Sequence, residues 1–108
     1  MKDPRIEKLA NMLINYSIEL KPGENILIET TGEGIDLTKA LIKEAYKAGG
    51  VPFVTIKNNE VNRVLYENCT VEQMDKAASY ASARMKDMQA YIGIRAPENV
   101  SEMGAVPS

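Results

Sequence analysis

The apolar positions of the chain alternate between helical spacing and short continuous runs. Helical spacing begins after Asp3-Pro4, an N-cap acceptor followed by a proline that suits a first turn, and it ends before the turn signal Lys21-Pro22-Gly23. Thr70 with Gln73 forms a capping-box pattern before another helix, and Asp36 can cap a further one. The helical pattern returns in three segments, which are residues 36–48, 61–65 and 70–88. The sequence therefore predicts four helices.

Three apolar runs predict buried strands of a parallel sheet. They are Ile26-Leu27-Ile28, Val51 to Ile56, and Ala90 to Ile94, whereas residues 97–108 show no clear period. Strands that alternate with helices imply βαβ crossovers, and 2-1-3 is the simplest order for three strands. We expect residues 1–108 to form a single three-layer α/β/α domain, half of a doubly wound fold. Its third strand could leave an unpaired edge.

Composition excludes several classes of function. The 108 residues are 44% hydrophobic and 26% charged, which suits a globular domain. The net charge of −2 argues against nucleic-acid binding through a positive field. No apolar run approaches the roughly 18 residues of a membrane helix. Cys69 is the one cysteine of the chain and suits a reducing compartment, so we predict a cytoplasmic protein that binds neither nucleic acid nor membrane.

The absence of histidine limits the chemistry further. A Ser-His-Asp triad, a Cys-His dyad and a His-Glu-x-x-His zinc site are all excluded, and one cysteine cannot build a structural zinc site. Gly32-Glu33-Gly34 does not complete a nucleotide-binding motif. The Rossmann pattern needs a third glycine at position 37, which is leucine, and the phosphate-loop pattern needs a Gly-Lys-Ser/Thr that is absent. The stripe of Met74, Met85 and Met88 is typical of adaptable core filling, or of a docking face for a missing partner. We therefore predict no catalytic or metal-binding residue in this chain.

The carboxyl ends of the three strands are the place where a ligand would bind in an open parallel sheet. The loops expected there begin at Glu29, Lys57 and Arg95. They offer carboxylates, amides and a guanidinium group at one rim, although ordinary solvated loop residues would look the same. The candidate rim or domain-contact residues are Glu29, Thr30, Arg95, Glu98 and Asn99.

Several blocks of the chain resemble the N-terminal part of the aminopeptidase T family of thermophilic metallo-aminopeptidases. The block of residues 90–99, Ala-Tyr-Ile-Gly-Ile-Arg-Ala-Pro-Glu-Asn, is the strongest of them. The others are residues 3–10, 15–17, 20–24, 40–49 and 52–54. The blocks occur in the family's order and share its spacing over nearly the whole chain.

The resemblance implies a larger, dimeric enzyme that removes N-terminal amino acids from peptides. Such enzymes use two divalent metal ions, commonly cobalt, zinc or magnesium, held by glutamate, histidine and aspartate side chains in a C-terminal catalytic domain. No such ligand corresponds to a residue of this chain, which is expected to be inactive alone and to wall the cavity of its catalytic partner. Two other interpretations stay open, which are a free-standing binding or regulatory module and an unrelated nucleotide-binding protein.

Overall fold

The computed structural model describes residues 3–95 and the backbone of residues 99–103. Its strands form one sheet in the order β2-β1-β3-β4, in which β1 pairs parallel to both β2 and β3. The predicted parallel sheet of order 2-1-3 and the α/β fold class are thus confirmed. The elements are α1 (Pro4–Met12), a π-helical segment (Leu13–Ser17), β1 (Asn25–Thr31), α2 (Ile35–Lys47), β2 (Val51–Lys57), α3 (Asn59–Glu67), α4 (Val71–Lys86), β3 (Ala90–Arg95) and β4 (Asn99–Met103).

The first predicted helix is present, and its last turn widens into the π-helical segment. Asp3 caps α1 by accepting a hydrogen bond from the Arg5 amide at 2.9 Å, and Pro4 occupies the first turn as predicted. The Ile18 amide donates to the Leu13 carbonyl at 2.9 Å, five residues back. Leu13, Ile14 and Ile18 are consequently all buried against the sheet.

The core lies between one face of the sheet and the layer formed by α1, the π-helical segment and α2. Alternate residues of β1 and β3 point into it, which is the period of two that a strand imposes. Ile26, Ile28 and Ile92 are fully buried there. The complete buried cluster is Ala10, Leu13, Ile14, Ile18, Leu20, Ile26, Ile28, Leu41, Ala45, Ala90, Ile92 and Ile94.

The third strand, β3, is not an edge of the sheet, contrary to the expectation from the sequence. The antiparallel strand β4 pairs with β3, with Asn99 opposite Arg95 and Met103 opposite Tyr91, so the third strand is covered. Among the described strands, β2 and β4 are the two edges of the sheet. The expectation of an unpaired third strand was wrong because residues 99–103 contain too few apolar positions to stand out as a strand.

Helices α3 and α4 differ from the other helices in having no buried residue. Met74 is 55% exposed, which contradicts core filling and leaves its other interpretation, a docking face, as a prediction, whereas Met88, beyond the end of α4, is buried. Thr70 caps α4 as predicted, accepting a hydrogen bond from the Gln73 amide at 3.1 Å. The N-cap of α2 is Gly34 and not Asp36, which lies in the first turn.

No helix in the described part of the chain is long and apolar enough to cross a membrane.

Candidate functional site

The face of the sheet opposite the core carries a row of polar side chains at the carboxyl ends of the strands. We call it the second face. Because residues paired across parallel strands project to the same side, the register places nine residues there in three rows. The rows, from the amino to the carboxyl ends, are Phe53, Leu27 and Tyr91; Thr55, Glu29 and Gly93; and Lys57, Thr31 and Arg95.

Glu29 is the centre of a polar network on the second face. One of its carboxylate oxygens accepts a hydrogen bond of 2.7 Å from the Tyr91 hydroxyl. The other lies 3.4 Å from Lys57 Nζ and 3.8 Å from Arg84 Nη2. The Glu29 side chain is only 16% exposed. Two cations and one phenol therefore stabilise a largely shielded carboxylate.

Arg84 connects helix α4 to this network. Its Nη1 atom donates a hydrogen bond of 2.8 Å to the Thr55 hydroxyl of β2, while Nη2 approaches Glu29 of β1. The guanidinium group thus contacts two strands through separate nitrogens, which is a geometry that its planar fork favours. This contact holds the C-terminal end of α4 over the second face, although α4 buries none of its residues.

Gly93 allows Tyr91 to reach Glu29. A Cβ atom at position 93 would lie 2.9 Å from the Tyr91 hydroxyl oxygen, which is closer than Cβ atoms approach other heavy atoms in proteins. The tyrosine side chain therefore lies across the glycine toward the neighbouring strand. Burial of the ring, the hydrogen bond to Glu29 and the charge of Glu29 together raise the pKa of Tyr91 to about 12, against a smaller lowering effect of Arg95.

This pKa predicts a change of stability at alkaline pH. Between pH 10 and about 12 the unfolded chain loses the Tyr91 proton while the folded chain retains it, so the free energy of unfolding should fall as pH rises. Below pH 10 the contribution is fully present. Urea denaturation of the wild type and of Tyr91→Phe across pH 9–12 measures the effect by difference.

Tyr91→Phe should decline less steeply over that interval. As a second control, Glu29→Gln removes the negative charge next to the Tyr91 hydroxyl and weakens the hydrogen bond that the hydroxyl donates. Absorbance titration should therefore show Tyr91 ionising at a lower pH than in the wild type. Parallel stability profiles for the wild type and Tyr91→Phe would contradict the assigned pKa.

The structure brings only part of the predicted rim together. Glu29 lies within β1, not in a loop, and Arg95 is the exposed last residue of β3. Asn99 pairs with Arg95 through the backbone of β4, and Glu98 lies outside the described residues. Arg84 and Tyr91 were not selected from the sequence. Lys57 was expected to begin a rim loop but was not chosen as a candidate site residue.

Thr30 faces the core and not the rim where we expected it. Its side chain is fully buried, and its hydroxyl is hydrogen-bonded to the hydroxyl of Thr38 in α2. Thr38 in turn donates to the Gly34 carbonyl at 2.7 Å. These bonds join the end of β1 to the first turn of α2, so Thr30 contributes to packing between a strand and a helix.

The groove between α1 and α2 is a second place with grouped polar side chains. It encloses about 810 Å³ and is lined by residues that include Asn11, Glu44 and Lys47. Asn11 Nδ2 donates to Glu44 at 2.8 Å, and Lys47 Nζ lies 3.3 Å from the same carboxylate. These groups are bonded to one another across the helix pair, so the groove is explained by the packing of α1 against α2.

The side-chain donors that the structure describes do not fit the paired-metal centre that the resemblance implies. The sequence contains no histidine, and within residues 3–95 no three cysteine, aspartate or glutamate side chains lie together. Glu29, the most shielded carboxylate of the second face, is already surrounded by cations. No step of metal-dependent hydrolysis can therefore be assigned to the described residues.

Comparisons with known proteins place this chain in a family. It is 23% identical over 107 residues to aminopeptidase PepS of Streptococcus thermophilus, a match that covers 94% of this chain and 26% of PepS. Its fold is similar to that of wild-type AmpT from Thermus thermophilus, with a TM-score of 0.66 and 21% identity over 85% of this chain and 24% of AmpT. The chain thus spans about a quarter of each relative. Because the profile of the thermophilic metalloprotease (M29) family matches residues 2–108, the chain belongs to that family.

Proposed function

We propose that this chain is the N-terminal, non-catalytic domain of a metal-dependent aminopeptidase that hydrolyses N-terminal amino acids from peptides. The main support is a contrast: the profile of a metalloprotease family matches residues 2–108, yet the sequence contains no histidine. Paired divalent ions, when bound, activate a water molecule and polarise the scissile carbonyl. A further catalytic domain would hold these ions, whether cobalt, zinc or magnesium.

The surface of α3 and α4 supports an architectural role. Seven large hydrophobic side chains of these helices are between 49% and 75% exposed, and an exposed apolar patch generally marks a contact with another protein surface. They are Val61, Val64, Leu65, Tyr66, Val71, Met74 and Tyr80. We propose that this surface packs against the catalytic domain.

The rim at the carboxyl ends of the strands would then wall the cavity that admits the peptide. Arg95 is exposed at the end of β3, and β4 returns beside it from Asn99, so both belong to this wall. Glu29 stabilises the rim from within through Lys57 and Arg84. A homodimer and a cytoplasmic location stay predictions that follow from the family resemblance and the sequence.

A peptidase assay tests the proposal. The chain of 108 residues and a version extended through any reading frame that continues beyond codon 108 are each supplied with Co²⁺, Zn²⁺ or Mg²⁺ and leucine p-nitroanilide. The short chain should release no product above buffer, because it lacks imidazole ligands, while the extended protein should be active and inhibited by EDTA.

Chelator-sensitive hydrolysis by the short chain would contradict the non-catalytic role. A stop codon directly after residue 108 would instead favour the free-standing binding module.

A further inference from the structure

We propose that Lys57, Thr31 and Arg95 form a binding site for a carboxylate, and that its ligand is the C-terminal carboxylate of a short peptide. We call these three residues the basic row. The choice of a peptide as the carrier of the carboxylate rests on the proposed function, whereas the carboxylate site rests on the geometry of the second face.

The register of the sheet sets the spacing of the basic row. Thr31 of β1 pairs with Lys57 of β2 on one side and with Arg95 of β3 on the other. Because neighbouring strands lie about 4.8 Å apart, the backbones that carry the two cations are about 10 Å apart, with Thr31 between them. Two long cationic side chains can therefore converge on one small anion above Thr31.

The hydroxyl of Thr31 is available to such an anion. The side chain is half-buried, and its hydroxyl has no hydrogen-bond partner among the described residues. This differs from Thr30 and Thr55, whose hydroxyls are bonded to Thr38 and Arg84. Thr31 thus offers an unused donor midway between the two cations.

The charges near the basic row leave a positive surplus. Glu29 contacts Lys57 and Arg84, and Arg95 lies close enough to lower the pKa of Tyr91. Arg95 has no ion pair within the described part of the chain. Among the side chains that the structure describes here, three cations therefore accompany one carboxylate, on a chain whose net charge is −2. An added anion would gain Coulombic attraction and charge-assisted hydrogen bonds there.

A carboxylate fits this arrangement through the planar fork of Arg95. A guanidinium group binds a carboxylate through two parallel hydrogen bonds, and Arg95 has no ion pair in the described part of the chain. A phosphate can use the same fork, so the choice of a carboxylate follows from the peptide of the proposed function, whose C-terminus carries one. The row also ends the strands, where ligands of open α/β sheets bind.

The test measures binding to the ¹⁵N-labelled chain by NMR at low ionic strength. The probes are N-acetyl-Ala-Ala, the same dipeptide with a C-terminal amide, and inorganic phosphate. The free acid should shift the backbone amides of Thr31, Lys57 and Arg95, the amide should not, and phosphate should bind more weakly. Raising NaCl to 0.5 M should weaken acid binding several-fold, since screening shortens the reach of exposed charges.

Lys57→Gln with Arg95→Gln should raise the Kd for the acid at least tenfold. Both side chains are solvent-exposed, so the fold should persist. Lys43→Gln is the matched control, because Lys43 is an exposed cation on α2, and it should leave the Kd unchanged.

Equal shifts with acid and amide would overturn the proposal, as would unchanged binding in the double variant. Phosphate binding as tight as the acid would also overturn the assignment to a carboxylate. The NMR titration measures no hydrolysis, so a negative titration does not contradict the peptidase assay. Conversely, an inactive extended protein would contradict the proposed function without contradicting an observed binding of the carboxylate.

Discussion

Replacing Ile28 by alanine should lower the free energy of unfolding by about 2–5 kcal/mol, the usual range for truncating a buried isoleucine. Ile28 is fully buried in the central strand, between Val54 of β2 and Ile92 of β3. Its side chain belongs to the cluster under α1 and α2, so truncation leaves a cavity that a strand paired on both sides cannot close by moving.

Urea denaturation followed by circular dichroism measures this loss. Ile56→Ala is the matched control, because Ile56 projects to the same side of the sheet from the edge strand β2 and is 60% exposed. It should cost less than about 1 kcal/mol. If Ile28→Ala does not fold, Ile28→Val should still cost about 0.5–1.5 kcal/mol. Equal losses for Ile28→Ala and Ile56→Ala would show that the core lies elsewhere.

Replacing Gly49 by alanine should cost about 2–4 kcal/mol, from two separate causes. Gly49 has φ +83°, a backbone conformation that costs an L-residue about 1–2 kcal/mol. A Cβ atom there would also lie 3.2 Å from Cα of Pro22, a backbone atom that cannot rotate away. The Gly23 amide donates to the Gly49 carbonyl at 2.9 Å, so displacement would separate the two turns.

Gly23→Ala separates the two causes. Gly23 has the same φ of +83°, but a Cβ atom there would meet nothing within 4 Å. It should therefore cost only the conformational part, about 1–2 kcal/mol. Thermal unfolding of both variants gives the comparison. Equal destabilisation would mean that the contact with Pro22 is relieved without cost.

Under the proposed function, the second face would have a role beyond filling space. Glu29 holds Lys57 and Arg84 near the ends of the strands, and Gly93 gives Tyr91 access to the same carboxylate. This internal network holds Lys57, one end of the basic row, and forms no ion pair with Arg95 at the other end. A wall of the substrate cavity that also binds the far end of a peptide would favour short peptides, because the distance to the catalytic centre would then select their length.

The sequence by itself determined the order of the four α-helices and of β1, β2 and β3, and the parallel arrangement of these three strands. These features follow from local periodicity, from caps such as Asp3 and Thr70, and from the rules of βαβ connection. The absence of histidine and the resemblance to the family were also recognised from the sequence alone. Each of these features depends on residues that are near one another in the chain or on composition alone.

Only the tertiary structure decided which polar groups meet. Tyr91 and Glu29 are 62 residues apart in sequence, and Arg84 and Thr55 are 29 apart, so their contacts depend on strand register and on where α4 crosses the sheet. Strand β4 and the exposure of α3 likewise escaped prediction, and the sequence left open whether the methionines of α4 fill the core or form a docking face. Pairing with β3 forms β4 despite its weak pattern, and an amphipathic helix does not reveal in its own sequence whether its apolar side finds a partner.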